Sequence, residues 1–193
     1  MKIAIIDRDG TLNALGNEYI ATPDEWVPIP GALEAVARLS RAGWHVVIAT
    51  NQSGLGRGVI DVHALNAIHA RLLKQVSALG GRIDAVFFCP HSDAEHCNCR
   101  KPAPGLLEQI RDRYGVERSE MVVVGSSVLH LQAAAAIGLP QLHMVCTGSA
   151  ADVDPTKELA RPWPPGTRAH ADLNAFVDFI IAAAAQTAKA PAP

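Results

Sequence analysis

The chain has 193 residues, 49% of them hydrophobic and 19% charged, with a formal net charge of −2. That is the make-up of one globular domain with a core of its own. A balance so near neutral gives no sign of a broad nucleic-acid or membrane surface. No apolar stretch approaches the length of a membrane span, and the run behind Met1-Lys2 stops at Asp7, too soon for a secretory leader. Three of the four cysteines crowd between Cys89 and Cys99, a spacing that suits metal in a reducing compartment better than a disulfide frame. A cytoplasmic location is the expectation.

The chain opens with Ile3-Ala4-Ile5-Ile6, mostly β-branched, running straight into Asp7-Arg8-Asp9-Gly10-Thr11. Four apolar residues in a row predict a strand buried on both faces, as in a parallel sheet. Gly10 ends it, so the two aspartates sit at the carboxyl end, where open α/β sheets place their ligands. Two apart on extended backbone, Asp7 and Asp9 point to one side. One carboxylate can attack an electrophile while its neighbour handles the proton; a capped turn would use the same residues.

Residues 14–30 have no period and contain three prolines, which predicts a loop folded back over the site. Residues 31–42 read as a helix with Leu33, Val36, Ala37 and Leu39 inward and Gly43 at its end. Residues 44–49 are a second buried strand. It ends in Thr50-Asn51-Gln52-Ser53-Gly54-Leu55-Gly56-Arg57-Gly58, small polar side chains and glycines that can bring N–H groups to an anion, with Arg57 as a phosphate fork. The spacing is not that of a nucleotide-binding P-loop. Asp61 caps a helix over residues 62–79, whose His63 and His69 read as surface or boundary residues, and residues 83–88 are a third strand.

Cys89-Pro90-His91 is followed by Cys97-Asn98-Cys99. Three thiols and one imidazole make a closed tetrahedral zinc set, hence a structural Zn²⁺ with no open position; His96 could compete with His91. Arg100 and Lys101 follow at once, held between this loop and a helix started at Pro104 and ended at Gly115. Residues 121–124 form a fourth strand ending in Gly125-Ser126. An alanine-rich helix closed by Gly138 comes next, then a fifth strand over 139–145, a long loop over 147–169 and a last helix over 172–185. Cys146 reads as an ordinary buried residue, and residues 186–193 as a frayed tail.

Strands alternating with helices predict a single α/β domain over residues 1–185, a Rossmann-like, doubly wound parallel sheet of five to six strands with helices on both faces. The zinc loop, residues 89–101, is inserted in it. Asp7 and Asp9, Thr50, and Gly125-Ser126 then meet at one edge.

These motifs resemble the haloacid dehalogenase superfamily of phosphohydrolases. The matching pieces are Asp7-Arg8-Asp9-Gly10-Thr11, Thr50-Asn51-Gln52-Ser53-Gly54, Arg100-Lys101-Pro102 and the Val123-Val124-Gly125 strand end. Within that superfamily the zinc loop and the lack of a large cap domain are similar to the D-glycero-D-manno-heptose 1,7-bisphosphate phosphatases, with histidinol phosphatases as relatives. The resemblance implies that Asp7 is the nucleophile and that Asp9 protonates the leaving oxygen and then activates water. Thr50 and Asn51, with Gln52 and Ser53, would hold the phosphoryl group, and Lys101 would neutralise charge. Arg57 and Arg100 would grip the sugar or its second phosphate, and Mg²⁺ would bind the Asp7 carboxylate and the Asp9 carbonyl oxygen. A small phosphosugar is the implied partner of a monomer that binds neither nucleic acid nor membrane.

One motif departs. Where the family has Gly-Asp-x-x-x-Asp, this chain has Gly125-Ser126-Ser127-Val128-Leu129-His130. Ser126 offers at most a weak or water-mediated contact to Mg²⁺. Two readings follow: a working sugar-phosphate phosphatase, or a non-catalytic descendant that binds a phosphosugar or a partner protein.

Overall fold

The computed structural model of the chain describes residues 1–16 and 18–189, the last three by backbone only. Six strands form one parallel sheet: β1 (Ile3–Ile6), β2 (His45–Asn51), β3 (Ala85–Cys89), β4 (Met121–Gly125), β5 (Leu142–Val145) and β6 (Arg168–His170). Their spatial order is β3-β2-β1-β4-β5-β6, and every neighbouring pair is parallel. The order reverses at β1, the topological switch point of a doubly wound sheet.

Alternation along the strands divides the core. Ala4 and Ile6 of β1, with Val46 and Ile48 of β2, face one layer made by α1 (Ala32–Arg41), α2 (Val62–Ala78) and α5 (Leu173–Lys189). Ile3 and Ile5, with Val47 and Ala49, face the other, made by α3 (Gly105–Tyr114) and α4 (Val128–Ala136). Apolar side chains on both faces are what an unbroken apolar run in a strand requires. Asp61 caps α2 as its side chain accepts from the Ala64 N–H at 2.7 Å.

The structure differs from expectation in the bounds of several elements. β2 continues through Thr50 and Asn51, because β3 pairs with both of them. Residues 147–169 are not all loop, since Arg168–His170 adds edge strand β6; three residues with a basic end leave no apolar signature. α5 runs to Lys189, beyond the expected end at 185, so the tail predicted over 186–193 is helical as far as it is described, and residues 190–193 lie outside the described residues. The segment after Asn13 returns on itself, with the Ala14 N–H donating to Val27 O and the Ile29 N–H to Leu12 O, each at 2.9 Å. Trp26 and Ile20 of this segment are buried in the core. Among the described residues no helix is long and apolar enough to cross a membrane.

Candidate active site

In-register pairing of β1 with β2 and β4 brings three strand ends together. Asp7 follows β1, Thr50 and Asn51 close β2, and Gly125 closes β4. They open on a cleft of about 580 Å³ whose lining includes Asp7, Asp9, Thr50, Asn51, Arg100 and Lys101. Gly125 is required here, because a Cβ on it would stand 2.9 Å from the Asp7 Cβ and 3.0 Å from the His130 ring.

Asp7 is almost fully buried. Its Oδ1 accepts from the Lys101 ammonium at 2.8 Å and from the Arg8 N–H at 2.9 Å. Its Oδ2 lies 4.0 Å from His130 Nδ1, beyond hydrogen-bond reach. Burial by itself would raise the Asp7 carboxyl; the Lys101 ammonium, by charge and hydrogen bond, and the Arg8 amide outweigh it and hold the group below the ordinary carboxylate range. Asp7 is therefore an anion with one oxygen engaged and the other free.

Lys101 is held from three sides. Its ammonium donates to Asp7 Oδ1 and, at 2.8 Å, to Ala49 O, and stands 3.0 Å from His130 Nδ1. An ammonium has three donors and no acceptor, so His130 Nδ1 accepts and the imidazole is neutral. Burial, then the Lys101 charge, lowers the His130 pKa to about 3, in keeping with that assignment. Asn51 fixes the lysine backbone: its amide nitrogen donates to Lys101 O at 3.0 Å and its amide oxygen accepts from the Lys101 N–H at 3.1 Å.

Asp9 is clamped by donors. Fully buried Arg8 reaches both carboxylate oxygens, at 2.9 Å and 3.0 Å. Asn13 Nδ2 donates at 3.1 Å and Gln52 Nε2 at 2.9 Å. Gln52 also donates to Thr50 Oγ1 at 2.9 Å. Gln52, expected to hold substrate, is instead buried beneath the cleft as a strut between Asp9 and Thr50. Behind Arg8 stands His69, whose Nε2 is 3.0 Å from Arg8 Nη1. Burial, then the Arg8 charge, lowers its pKa to about 4. The expectation of a surface or boundary His69 is thus corrected: α2 turns it inward onto a buried guanidinium.

Ser53 reaches the cleft lining but Arg57 does not; Arg57 is exposed and pairs with Glu18 at 3.3 Å. The glycine loop is anchored the other way, with the Gly56 N–H donating to Pro90 O at 2.9 Å. Arg57 is thus joined to the cleft wall through Glu18. Glu18, Tyr19 and Leu15, from the irregular segment after Asn13, form the opposite wall. Nothing in their local sequence marks them.

Cys89, His91, Cys97 and Cys99 offer ligand atoms all within 4.8 Å of one another. Their sulfurs are 3.2 to 3.6 Å apart, and His91 Nδ1 is 3.3 Å from Cys99 Sγ. Zn–S bonds of about 2.3 Å place tetrahedral sulfurs roughly 3.8 Å apart, so the set fits zinc after a small expansion. His91, not His96, completes it; His96 ends a short helical turn with φ 47°. The four cysteines form no disulfide. Arg100 leaves this loop toward the cleft, ion-paired to Asp93 and 3.4 Å from His91 O.

The chain also resembles known proteins. The model of the haloacid dehalogenase-like hydrolases matches residues 12–138. The chain belongs to the haloacid dehalogenase-like hydrolase family. It is 44% identical over 179 residues to a D-glycero-beta-D-manno-heptose-1,7-bisphosphate 7-phosphatase of Pseudomonas aeruginosa, covering 93% of this chain and 97% of that one. It is 47% identical over 181 residues to the Pseudomonas putida protein of that name, covering 94% and 100%. The crystal structure of D,D-heptose 1,7-bisphosphate phosphatase from Bordetella bronchiseptica, complexed with magnesium and phosphate, superposes with a TM-score of 0.87 at 42% identity, over 95% of this chain and 99% of the other.

In this hydrolase the fourth strand end is closed off. The Ser126 N–H donates to Thr11 Oγ1 at 2.9 Å, and the Thr11 hydroxyl donates to Ser126 Oγ at 3.2 Å. Gly10 (φ 76°) packs over it so tightly that a Cβ there would lie 2.8 Å from Ser126 Oγ. Ser126 is buried, outside the cleft lining, with its hydroxyl engaged by Thr11. Among the described residues, three or more metal-ligating side chains converge only in the Cys/His cluster.

Proposed function

We propose that this hydrolase removes the C7 phosphate of D-glycero-D-manno-heptose 1,7-bisphosphate, leaving the 1-phosphate, through an aspartyl-phosphate on Asp7. The observation that carries this reading is a buried, ionised Asp7 with one free oxygen on a cleft that also presents Lys101 and Arg100. The 43–47% identity to curated phosphatases of that name, over more than nine-tenths of the chain, supports the substrate class.

The chemistry follows from the residues. Asp7 Oδ2 attacks phosphorus, and the bond from phosphorus to the sugar oxygen breaks. The departing oxygen takes a proton from Asp9. Water then attacks the phosphoryl group, Asp9 accepts its proton, and the bond to Asp7 breaks. As placed, Asp9 accepts hydrogen bonds from Arg8, Asn13 and Gln52, the state that suits the second step; the first requires it to carry a proton and loosen that clamp. Thr50 and Ser53 face the phosphoryl oxygens. Asn51 acts by fixing the Lys101 backbone, and Arg100 offers its fork to the sugar or its second phosphate. Hard oxygen donors at Asp7 and Asp9 fit one face of Mg²⁺, an ion that takes one or two carboxylates together with water and substrate phosphate. Bound there, it would offset charge on the transferring group. A structural zinc in the Cys/His loop would hold the strand end that carries Arg100 and Lys101. The site needs no second subunit, and thiols kept for zinc suit the cytoplasm.

Phosphate release from the heptose bisphosphate tests the reading, with histidinol phosphate as comparator. Faster turnover of histidinol phosphate would reassign the substrate. A second reading, a phosphosugar-binding protein without turnover, is favoured by the loss of both acids at Ser126 and His130. It predicts saturable binding of the bisphosphate with no phosphate released.

A further inference from the structure

The ionised groups around the two aspartates balance without a metal. Asp7 is matched by Lys101 and Asp9 by Arg8, two anions against two cations. A carboxylate at position 130 would add a negative charge beside Asp7, a surplus that calls for a dication. Here Ser126 is neutral and sealed under Thr11 and Gly10, while His130 is neutral because it accepts from the Lys101 ammonium. The Asp7 oxygens are already allotted as well. Oδ1 carries the ammonium and the Arg8 N–H, and Oδ2 is the oxygen left for phosphorus. Without a phosphate, a cation at Asp7 would either occupy Oδ2, the oxygen needed for phosphorus, or compete with Lys101 for Oδ1.

We infer that Lys101, aimed by His130, is the resident counter-ion of Asp7, so that the substrate-free protein retains no divalent cation and takes one up only together with a phosphate group. This rests on the reading of the cleft as a phosphoryl-transfer site. A phosphate brings two or more negative charges and fresh oxygen ligands, which restores the demand for a dication that the chain alone lacks. His130 acts as a positioning residue: it engages the third N–H of the ammonium and adds no charge.

Mn²⁺ reports this directly, through loss of the free-ion paramagnetic resonance signal on binding. The zinc-loaded full-length protein is titrated with Mn²⁺, alone and with saturating inorganic phosphate. The expected result is weak binding alone and binding about tenfold tighter or more with phosphate. Equal affinity in the two conditions overturns the inference, and so does an absence of binding in both. The variant His130→Asp, checked for fold by circular dichroism, is expected to bind Mn²⁺ without phosphate about tenfold tighter than the parent; no gain in the folded variant overturns the role given to Lys101 and His130. If that variant fails to fold, the phosphate dependence of the parent decides alone. His130→Asn, whose amide oxygen can stand where Nδ1 stands, is expected to match the parent, and tight phosphate-independent binding in it overturns the inference. Phosphate-coupled Mn²⁺ binding without hydrolysis of the heptose bisphosphate would count against the proposed substrate, not against this inference.

Discussion

Arg8 Nη1 lies 3.0 Å from Nε2 of His69, 61 residues further along the chain. Arginine only donates, so Nε2 accepts and His69 carries its proton on Nδ1. The guanidinium is fully buried, and its other nitrogens hold the Asp9 carboxylate. His69 therefore acts on Asp9 through Arg8. His69→Leu removes the acceptor and leaves a buried donor unmatched, a loss of about 1–3 kcal/mol. Turnover is expected to fall while KM changes little, because in the proposed reaction Asp9 touches the reacting atoms and His69 does not. His69→Gln can keep an acceptor for Arg8 and is expected to recover most of the rate. Steady-state kinetics on the pair checks this; equal loss in both variants would make His69 merely structural.

Asp7→Asn is expected to end phosphate release. It also leaves the Lys101 ammonium buried without its anion, and breaking such a pair costs about 3–5 kcal/mol. Lys101→Met removes the opposite member and is expected to cost stability on the same scale. The double variant Asp7→Asn with Lys101→Met should then be more stable than the sum of the single losses. Urea midpoints of the four proteins measure the coupling, and strict additivity would mean that the pair is not a pair.

What the sequence makes legible here is what lies within one short stretch. The apolar run before Asp7, the Cys-x-His and Cys-x-Cys spacing, and Lys101 lodged between the Cys/His loop and a helix all carry local signals, and the structure brings them to the same sheet edge. Side chains whose meaning comes from a distant partner are not legible in that way. His69 has the helical spacing of a boundary residue, and only the burial of Arg8 makes it a partner. Gln52 and Arg57 sit in one polar loop; the packing of Gly56 against the zinc loop sends one under the cleft and leaves the other outside. Glu18 and Tyr19 reach the cleft because Trp26 and Ile20 anchor their segment in the core. β6 is too short and too polar at its start to show a period.

Purified protein is expected to hold about one zinc per chain, bound by Cys89, His91, Cys97 and Cys99. The metal lies away from the reacting atoms, so its removal should act through the strand end that carries Arg100 and Lys101. Stripping it with a strong chelator is expected to raise KM and lower turnover together, with both recovered on adding zinc back. Metal analysis and thiol counting on native protein check the occupancy. Finding no zinc, with Cys97 and Cys99 freely reactive, would remove this account of the loop.

Acid is expected to loosen the far side of the sheet before it reaches Asp7. His143 Nδ1 and His170 Nε2 are 2.9 Å apart, packed against the rings of Phe176 and Phe179. Burial, then His170 and Arg168, lowers His143 to about 3; burial, then Arg168, lowers His170 to about 4. In the unfolded chain both return to about 6.5. Above that value neither state binds the protons, and the pair contributes no pH dependence. Below it the unfolded chain takes up protons that the folded pair refuses, so stability falls as pH drops from about 6.5 toward 4, by up to about 1.4 kcal/mol per pH unit for each histidine. Asp7, held below the carboxylate range, adds its own loss only at lower pH, as its partners lose their anion. Urea unfolding at pH 7, 6 and 5 separates the two windows. His143→Gln with His170→Gln keeps a side-chain hydrogen bond within reach and removes both titrations, and is expected to lower the slope between pH 6.5 and 5 by about half, with His69 and His130 carrying the rest. A slope unchanged from the parent would mean that this pair is not what makes the fold acid-sensitive, leaving His69 and His130 as the groups that are.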